Sequence, residues 1–325
     1  MASSTQHPVR TAVLAVGAVG AAAAVWGIGI ERHLYTLRRH TVAVLAPGSA
    51  PIRVLHISDV HMAPWQRRKQ AWIASLASLR PDLIINTGDN LGHPDAVRGI
   101  RAAFAGFRGI PGAFVHGSND LFASAPRNPL RYFLGPSKNH SREVRLDTEA
   151  MDSFFTSTLG WHDVNNAAAT VDVHGRRVNL VGVNDAHRNW DRLDLLPGLF
   201  DQLQAASTDL DGDGLADPEA DPHPLTVAVT HAPYRRVLDA FTGAGADVIF
   251  GGHTHGGHVR VPGFGALVAN CDIPLKQASG LSSWHRLGHT AALNVSAGLG
   301  HSIYAPVRFA CPPEASLLTF LPRVS

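Results

Sequence analysis

The clearest pattern in the sequence is a series of short apolar runs, each of which ends in a polar residue. Five runs have the length and β-branched composition of buried strands, at residues 52–58, 82–86, 113–116, 225–229 and 247–250. Between the first three runs, residues 66–79 and 96–107 place their apolar side chains on one helical face. This alternation of strand and helix predicts a largely parallel sheet covered by helices.

The later part of the chain is richer in strand patterns. Further apolar runs occur at residues 170–173, 178–183, 293–296 and 316–320. We therefore expect an α/β fold in which a second sheet packs against the first. Residues 120–165 have weak periodicity and predict an irregular insertion. Residues 206–224 predict an acidic loop; its segment 209–220 resembles a calcium-binding loop but has Ala220 where a glutamate normally binds the ion.

The N-terminal part contains a long uncharged segment. Residues 11–30 carry no charge and have about the length of a helix that spans a bilayer. A cleaved signal peptide is the alternative, although its apolar core is usually shorter. We therefore predict a single-pass protein of the cell membrane, with an anchor and connector at residues 1–50 and a globular domain at residues 51–325. Basic residues follow the segment more often than they precede it, which leans towards a cytoplasmic domain, but the margin is small and the side stays open.

Composition excludes some classes of protein. Lysine and arginine number 28 against 26 acidic residues, and without a long basic run no nucleic-acid partner is indicated. The two cysteines, Cys271 and Cys311, do not form a C-x-x-C pattern, so a zinc ribbon is excluded. They could pair in an exported domain or stay as free thiols. The 19 histidines are unusual, and several lie beside aspartate, glycine or another histidine.

Residues that bind metals follow each of the five predicted strands. In chain order they are Asp59, His61, Asp89, Asn119, His231, His253 and His255. One such residue after a strand is usually an ordinary turn residue, but here all five predicted strands are followed by residues of a type that binds metals. In open α/β sheets, ligands bind at the carboxyl ends of the strands. Mixed nitrogen and oxygen donors suit Mn, Fe, Zn, Co or Ni better than Ca or Mg alone.

The five motifs, in order D-V-H, G-D-N, G-S-N-D, T-H and G-G-H-T-H, resemble those of the calcineurin-like metallophosphoesterase superfamily. The tail GHTHGGHVRVP resembles its membrane-associated bacterial branch. The resemblance implies a four-layer fold, in which two mixed sheets are packed together and flanked by helices. It also implies hydrolysis of a phosphate mono-, di- or pyrophosphate ester by metal-activated hydroxide. A membrane anchor would favour a lipid-linked substrate, by proximity alone.

The same resemblance implies two divalent ions that share Asp89. One ion would be held by Asp59, His61, Asp89 and His255. The other would be held by Asp89, Asn119, His231 and His253.

The third motif departs from the usual pattern, which has asparagine followed by a histidine that stabilises the transition state or protonates the leaving group. If the loop is one residue longer here, Asn119 is the ligand and Asp120 replaces the histidine as a catalytic residue. This alignment is preferred because an amide oxygen is a better ligand than a hydroxyl. Without a gap, Ser118 takes the ligand position and Asn119 the histidine position. His116, His187, His301 or water could also supply the proton, and a scaffold with impaired catalysis is the alternative function.

Overall fold

The computed structural model describes residues 6–123, 144–208, 224–301 and 306–323. The calcium-like segment and most of the predicted acidic loop lie outside these residues, as do residues 124–143 of the predicted insertion.

The first sheet contains six strands in the order β1-β14-β2-β3-β4-β5. They are β1 (Thr36–Leu45), β2 (Ile52–Ile57), β3 (Leu83–Asn86), β4 (Gly112–Phe114), β5 (His162–Asp163) and β14 (Glu314–Pro322). Strands β2 to β5 run parallel, whereas β14 lies antiparallel to β2 and parallel to β1. The carboxyl ends of β2, β3 and β4 therefore meet at one edge of the sheet.

The second sheet also contains six strands, in the order β12-β13-β9-β8-β7-β6. They are β6 (Ala167–Val173), β7 (Arg176–Gly182), β8 (Leu225–Val229), β9 (Val248–Gly251), β12 (Gly280–Arg286) and β13 (His289–Val295). The four central strands run parallel, and the two edge strands are antiparallel to their neighbours. A short hairpin of β10 (Arg260–Val261) and β11 (Gly265–Ala266) lies apart from both sheets.

Helices cover the outer face of each sheet. The α-helices of the domain are α2 (Arg67–Ser75), α3 (Ala96–Phe104), α4 (Ser118–Leu121), α5 (Thr148–Ser153), α6 (Leu196–Thr208) and α7 (Arg235–Gly243). Side chains alternate between the faces of a strand, so Val54 packs between the two sheets while Leu55 packs against the helices of the first. On the second sheet, Val227 faces the first sheet and Ala228 lies in the cluster that contains residues of α7. The result is helices, sheet, sheet, helices, which confirms the predicted fold class.

Two segments differ from their predicted structure. Residues 36–45, expected in the connector, form the edge strand β1, whose partner β14 lies near the other end of the chain. Residues 144–163, expected to be irregular, contain α5 and β5 and bury Phe155 and Trp161 in the core. In both cases the partner surface, rather than the local pattern, decides the structure.

A long apolar helix precedes the first sheet. Helix α1 (Gln6–Val25) continues through short π and 3-10 turns, so that Arg10–His33 forms a helical span of 24 residues, within which the most apolar window of 18 residues has a mean hydropathy of 2.1. Only 6% of its most apolar window is buried. The span is long and apolar enough to cross a membrane, although a signal sequence near an N-terminus meets the same criterion.

Candidate metal centre

The loops that follow β2, β3, β4, β8 and β9 come together where the parallel strands of both sheets end. Hydrogen bonds join these loops directly. Within the first sheet, the backbone N–H of Asp59 donates to the carbonyl of Gly88 at 2.8 Å; between the sheets, the backbone N–H of His253 donates to Asp59 Oδ2 at 3.0 Å. The strand ends of two separate sheets therefore build one site, as ligand sites in open sheets commonly are.

The first group of donors consists of Asp59, His61 and His255, whose candidate ligand atoms all lie within 4.8 Å of one another. The Nε2 atoms of His61 and His255 are 3.2 Å apart, and His255 Nε2 lies 3.6 Å from Asp59 Oδ1. Two donors that bind the same ion at about 2.1 Å are about 3.0–3.4 Å apart. The two imidazole nitrogens have this spacing, so the group fits one divalent ion.

The second group consists of Asp59, Asp89 and His231. Asp89 Oδ2 lies 3.5 Å from His231 Nε2 and 3.6 Å from His61 Nε2, which puts one carboxylate oxygen between the two groups. His231 Nε2 is buried and makes no well-formed hydrogen bond in the described part of the chain. At 3.5 Å its contact with Asp89 is too long for a good hydrogen bond, and a cation bound between the two atoms would satisfy both.

The other nitrogen of His231 is held by the loop after β3. His231 Nδ1 lies 2.7 Å from the carbonyl of Thr87, to which it donates, so Nε2 is the atom directed towards Asp89. Burial lowers the pKa of His231, but the Asp89 carboxylate outweighs it and raises that pKa well above its usual value. Asp89 therefore keeps the proton on His231, and a divalent ion would replace that proton on binding.

Asp59 is fully buried between both groups. Its Oδ2 atom accepts hydrogen bonds from Ser58 Oγ at 2.5 Å and from the backbone N–H of His253 at 3.0 Å. Burial nevertheless raises the pKa of Asp59 to about 7. The positive charge of His231 lowers this pKa but does not offset burial and the neighbouring Asp89 carboxylate, so a metal ion would supply charge that the site needs.

Asn119 lies beside the second group. Its Nδ2 atom donates to Asp89 Oδ2 at 2.7 Å, and its backbone N–H donates to Asp89 Oδ1 at 2.9 Å. The structure therefore brings Asn119 to the shared carboxylate, with the amide nitrogen rather than the oxygen turned towards it.

Asp120 is placed differently from Asn119. Its carboxylate is fully buried and accepts four backbone N–H groups. The donors and distances are Asp89 at 2.8 Å, Asn90 at 2.6 Å, Leu91 at 3.1 Å and Gly117 at 3.1 Å. Burial raises the pKa of Asp120 to about 6. Asp120 thus holds the loops of the second and third motifs together through these four hydrogen bonds.

His253 does not belong to either close group of donors. Its Nε2 atom lies 3.3 Å from the carbonyl of Asn270, and its ring centroid is 5.2 Å from that of His231. The ring centroid of His187 lies 4.4 Å from that of His253. His253 therefore borders the second group.

The other histidines considered as proton donors already have partners or little exposure. His187 Nδ1 lies 3.0 Å from the Tyr234 hydroxyl, and His116 Nε2 lies 2.8 Å from Asp152 Oδ1. His301 is buried, at 7% exposure.

Sequence reasoning missed a supporting arginine. Arg308 is fully buried, and its guanidinium donates to the carbonyls of Ala297, Gly298 and Gly300. Its Nη2 atom also lies 3.4 Å from His255 Nδ1. An isolated arginine in a loop has no sequence pattern that could have revealed this position.

Two glycines allow the loops to approach the carboxylates. A Cβ on Gly117 would collide with Asp89 Oδ1, and a Cβ on Gly252 would lie 2.6 Å from Asp59 Oδ2. Both positions therefore have no room for a side chain and require glycine.

The two cysteines do not pair in this structure. Cys271 and Cys311 are both free thiols.

The sequence profile of the calcineurin-like phosphoesterase family matches residues 52–257, well over half of the chain. The chain belongs to the calcineurin-like phosphoesterase family. This confirms the predicted superfamily, and the matched range contains every predicted ligand. Its placement in a membrane-associated bacterial branch stays a prediction.

Other comparisons place this calcineurin-like phosphoesterase among distant structures. No curated protein matches it significantly. It resembles the NAD nucleotidase of Haemophilus influenzae, with 10% identity, a TM-score of 0.43 and coverage of 77% of this chain and 51% of the other. A 5′-nucleotidase precursor from Thermus thermophilus has 13% identity and a TM-score of 0.39, with coverage of 84% of this chain and 54% of the other. A dimetal phosphatase from Danio rerio has 11% identity and a TM-score of 0.37, with coverage of 76% of this chain and 88% of the other. The chain spans about half the length of the two nucleotidases, and likenesses this distant carry no functional argument.

Proposed function

We propose that this protein is a dinuclear-metal-dependent phosphoesterase that hydrolyses a phosphate mono-, di- or pyrophosphate ester. The observation that carries the proposal is the pair of donor groups that share Asp59 and lie on either side of Asp89 Oδ2. When bound, two divalent ions would polarise the phosphate oxygens and lower the pKa of a water molecule held between them. Mn, Fe, Zn, Co and Ni all suit these donors.

The ligands proposed for the first ion are Asp59, His61, Asp89 and His255. Three contacts support this set: His61 Nε2 lies 3.2 Å from His255 Nε2 and 3.6 Å from Asp89 Oδ2, and His255 Nε2 lies 3.6 Å from Asp59 Oδ1. All four residues are at most 9% exposed. The protein thus holds these donors in fixed positions away from bulk water, which favours tight binding.

The ligands proposed for the second ion are Asp89, Asn119, His231 and His253. His231 and Asp89 already face each other at 3.5 Å. Asn119 would bind by turning its amide oxygen towards the ion, which exchanges the positions of two atoms of similar size. His253 would bind through a ring that already lies beside that of His231.

Asp120 is proposed to position the site rather than to donate a proton. Its oxygens already accept four backbone N–H groups of the second and third motifs, and the side chain is fully buried, which leaves it little access to a substrate. The role of catalytic acid considered for Asp120 is therefore the weaker proposal. Water can protonate the leaving group where no side chain does so.

A scaffold without catalysis is not favoured. Packing buried imidazoles and carboxylates together without an ion is unfavourable, because each loses hydration without a full set of partners. A scaffold would have no need for that arrangement.

We further propose that Arg10–His33 anchors the protein as a single-pass protein of the cell membrane. The support is the length and hydropathy of the span and its nearly complete exposure. A lipid-linked phosphate ester would then be the substrate closest to the site. Fractionation of cells that express the full chain tests the anchor, and protease accessibility in intact and lysed cells decides the side of the domain.

The experiment that tests the activity uses the full chain in detergent. The metal content of the purified protein is measured by mass spectrometry, and hydrolysis of phosphomonoesters, phosphodiesters and lipid pyrophosphates is then measured with each metal. We expect about two ions per chain and hydrolysis of at least one class. A well-folded protein that binds no transition metal would refute the proposal.

A further inference from the structure

The end of the apolar helix is fastened to the folded domain by hydrogen bonds. The carbonyl of Gly27 accepts the backbone N–H of Arg308 at 3.1 Å. The buried carboxylate of Glu31 accepts the backbone N–H groups of Ala310 at 3.0 Å and Cys311 at 2.5 Å. The helix end is therefore part of the domain rather than one end of a loose tether.

The opposite edge of the same short segment binds the β10–β11 hairpin. Phe309 donates its backbone N–H to the carbonyl of His258 at 3.0 Å and accepts the N–H of Arg260 at 2.9 Å. Residues 308–311 thus have the helix end on one side and the base of the hairpin on the other. Neighbours joined in this way lie about 5 Å apart, so the hairpin base is about 10 Å from the helix end.

Both neighbours expose apolar side chains. At the helix end these are Trp26, Ile28, Ile30 and Leu34, and at the hairpin they are Val261, Phe264 and Leu267. Phe264, in the turn of the hairpin, is 73% exposed. A groove of about 400 Å³ separates the two, with Trp26 and Leu34 on one wall, Pro262 on the other, and Phe309 between them. The apolar surface is therefore continuous from the helix to the hairpin.

A lipid bilayer is the occupant that fits this surface. The helix that borders it has the length and hydropathy of a membrane span. Trp26 lies near its end and donates its indole N–H to Glu31 at 2.6 Å, which is the amphipathic placement of aromatic residues at bilayer interfaces. The exposed positions from Trp26 to Ile30 cover about 6 Å of helix, close to the roughly 5–10 Å depth to which interfacial segments enter.

We propose that residues 261–264 of the hairpin insert into the bilayer interface beside the apolar helix, so that the domain lies on the membrane with this face towards the lipid. The proposal rests on the proposed membrane anchor and does not depend on hydrolysis. Because the hairpin begins five residues after His255, it also fixes the metal centre close to the bilayer surface.

The test uses the full chain reconstituted in lipid vesicles and a fluorophore sensitive to polarity. Cys271 is changed to serine, while Cys311, at 2% exposure, is protected from labelling. The probe is attached at Phe264→Cys and, as a matched control, at Leu287→Cys. Leu287 is 83% exposed in the turn before β13, at the end of that strand opposite to the site. Unchanged thermal transitions show that both labelled proteins are folded.

We expect the probe at position 264 to emit at shorter wavelength and to be quenched by spin-labelled lipids, while the probe at position 287 stays in water. Equal, lipid-independent emission from both sites, in protein that floats with the vesicles, would overturn the proposal while leaving the anchor intact. Shielding at position 264 that depends on protein concentration rather than on lipid would also overturn it, because a second copy would then cover the hairpin. Protein that does not float refutes the anchor and the proposal together, whereas loss of hydrolysis alone affects neither.

Discussion

Asp120→Asn separates a positioning role from a catalytic one. The substitution keeps the size of the side chain, removes its charge and replaces one acceptor oxygen by a donor NH₂ group. The two oxygens of Asp120 each accept two backbone N–H groups, so the amide can serve only one pair. The other two backbone N–H groups then face the NH₂ group of the amide, which is itself a donor and cannot accept them.

The expected loss of stability follows from these contacts. Hydrogen bonds to a charged group contribute about 1.5–3 kcal/mol each, so two lost bonds would remove about 3–6 kcal/mol. Burial raises the pKa of Asp120 to about 6, and removing the charge relieves part of that cost. We therefore expect a net loss of about 2–3 kcal/mol, with displacement of Asp89 and a lower metal content.

The assay combines denaturation, metal analysis and a series of leaving groups. If Asp120 positions the loops, hydrolysis slows by the same factor for nitrophenyl and alkyl phosphates. Asp172→Asn, which changes an exposed carboxylate, is the control for charge and should behave as wild type. Slowing of about 10²–10⁴-fold for alkyl esters alone, with both ions retained, would refute this reasoning and show that Asp120 is the general acid.

Three further predictions concern the site and the core. Asp89→Asn should abolish activity and reduce the metal content measured by mass spectrometry, because the shared charge is lost; full occupancy with wild-type rates would contradict the shared-carboxylate assignment. Asn119→Ala should lower occupancy of one ion and Ser118→Ala should not, and the reverse result would move the ligand by one residue. Burial lowers the pKa of Lys69 to about 7, so between pH 7 and 10 the unfolded chain binds more protons and wild-type stability should rise with pH. Lys69→Met should remove that slope in chemical denaturation, and an unchanged slope would show that another group causes it.

Much of the fold was predictable because its signals are local. Strands β2, β3, β8 and β9 are mainly apolar and almost entirely buried, as expected for strands covered on both faces. Strand β1 was missed because it is an edge strand with exposed arginines, and its pairing with β14 depends on residues almost 280 positions away. The sequence pattern of a short segment cannot predict a pairing with a strand so far away in the chain.

For the candidate site too, one part could be predicted from the sequence and another could not. The types and order of the seven predicted ligands follow from the strand ends, and the structure brings Asp59, His61, Asp89, His231 and His255 into two close groups. Several of these residues have left-handed backbone, among them Asp59 at φ 48° and Asp89 at φ 54°. Such conformations are uncommon for residues other than glycine, although aspartate, asparagine and histidine adopt them more readily than most.

The sequence alone therefore determined the class of fold and which residues are able to bind metal, because periodicity and residue chemistry are properties of short segments. Only the tertiary structure decided what each neighbouring residue does. Asn119 and Asp120 are adjacent in the chain, yet one contacts the shared carboxylate while the other is bound by four backbone N–H groups. Likewise, Arg308 and the β10–β11 hairpin join the apolar helix to the metal centre through contacts between distant segments. Hydrogen bonds and burial form only when those segments meet in space.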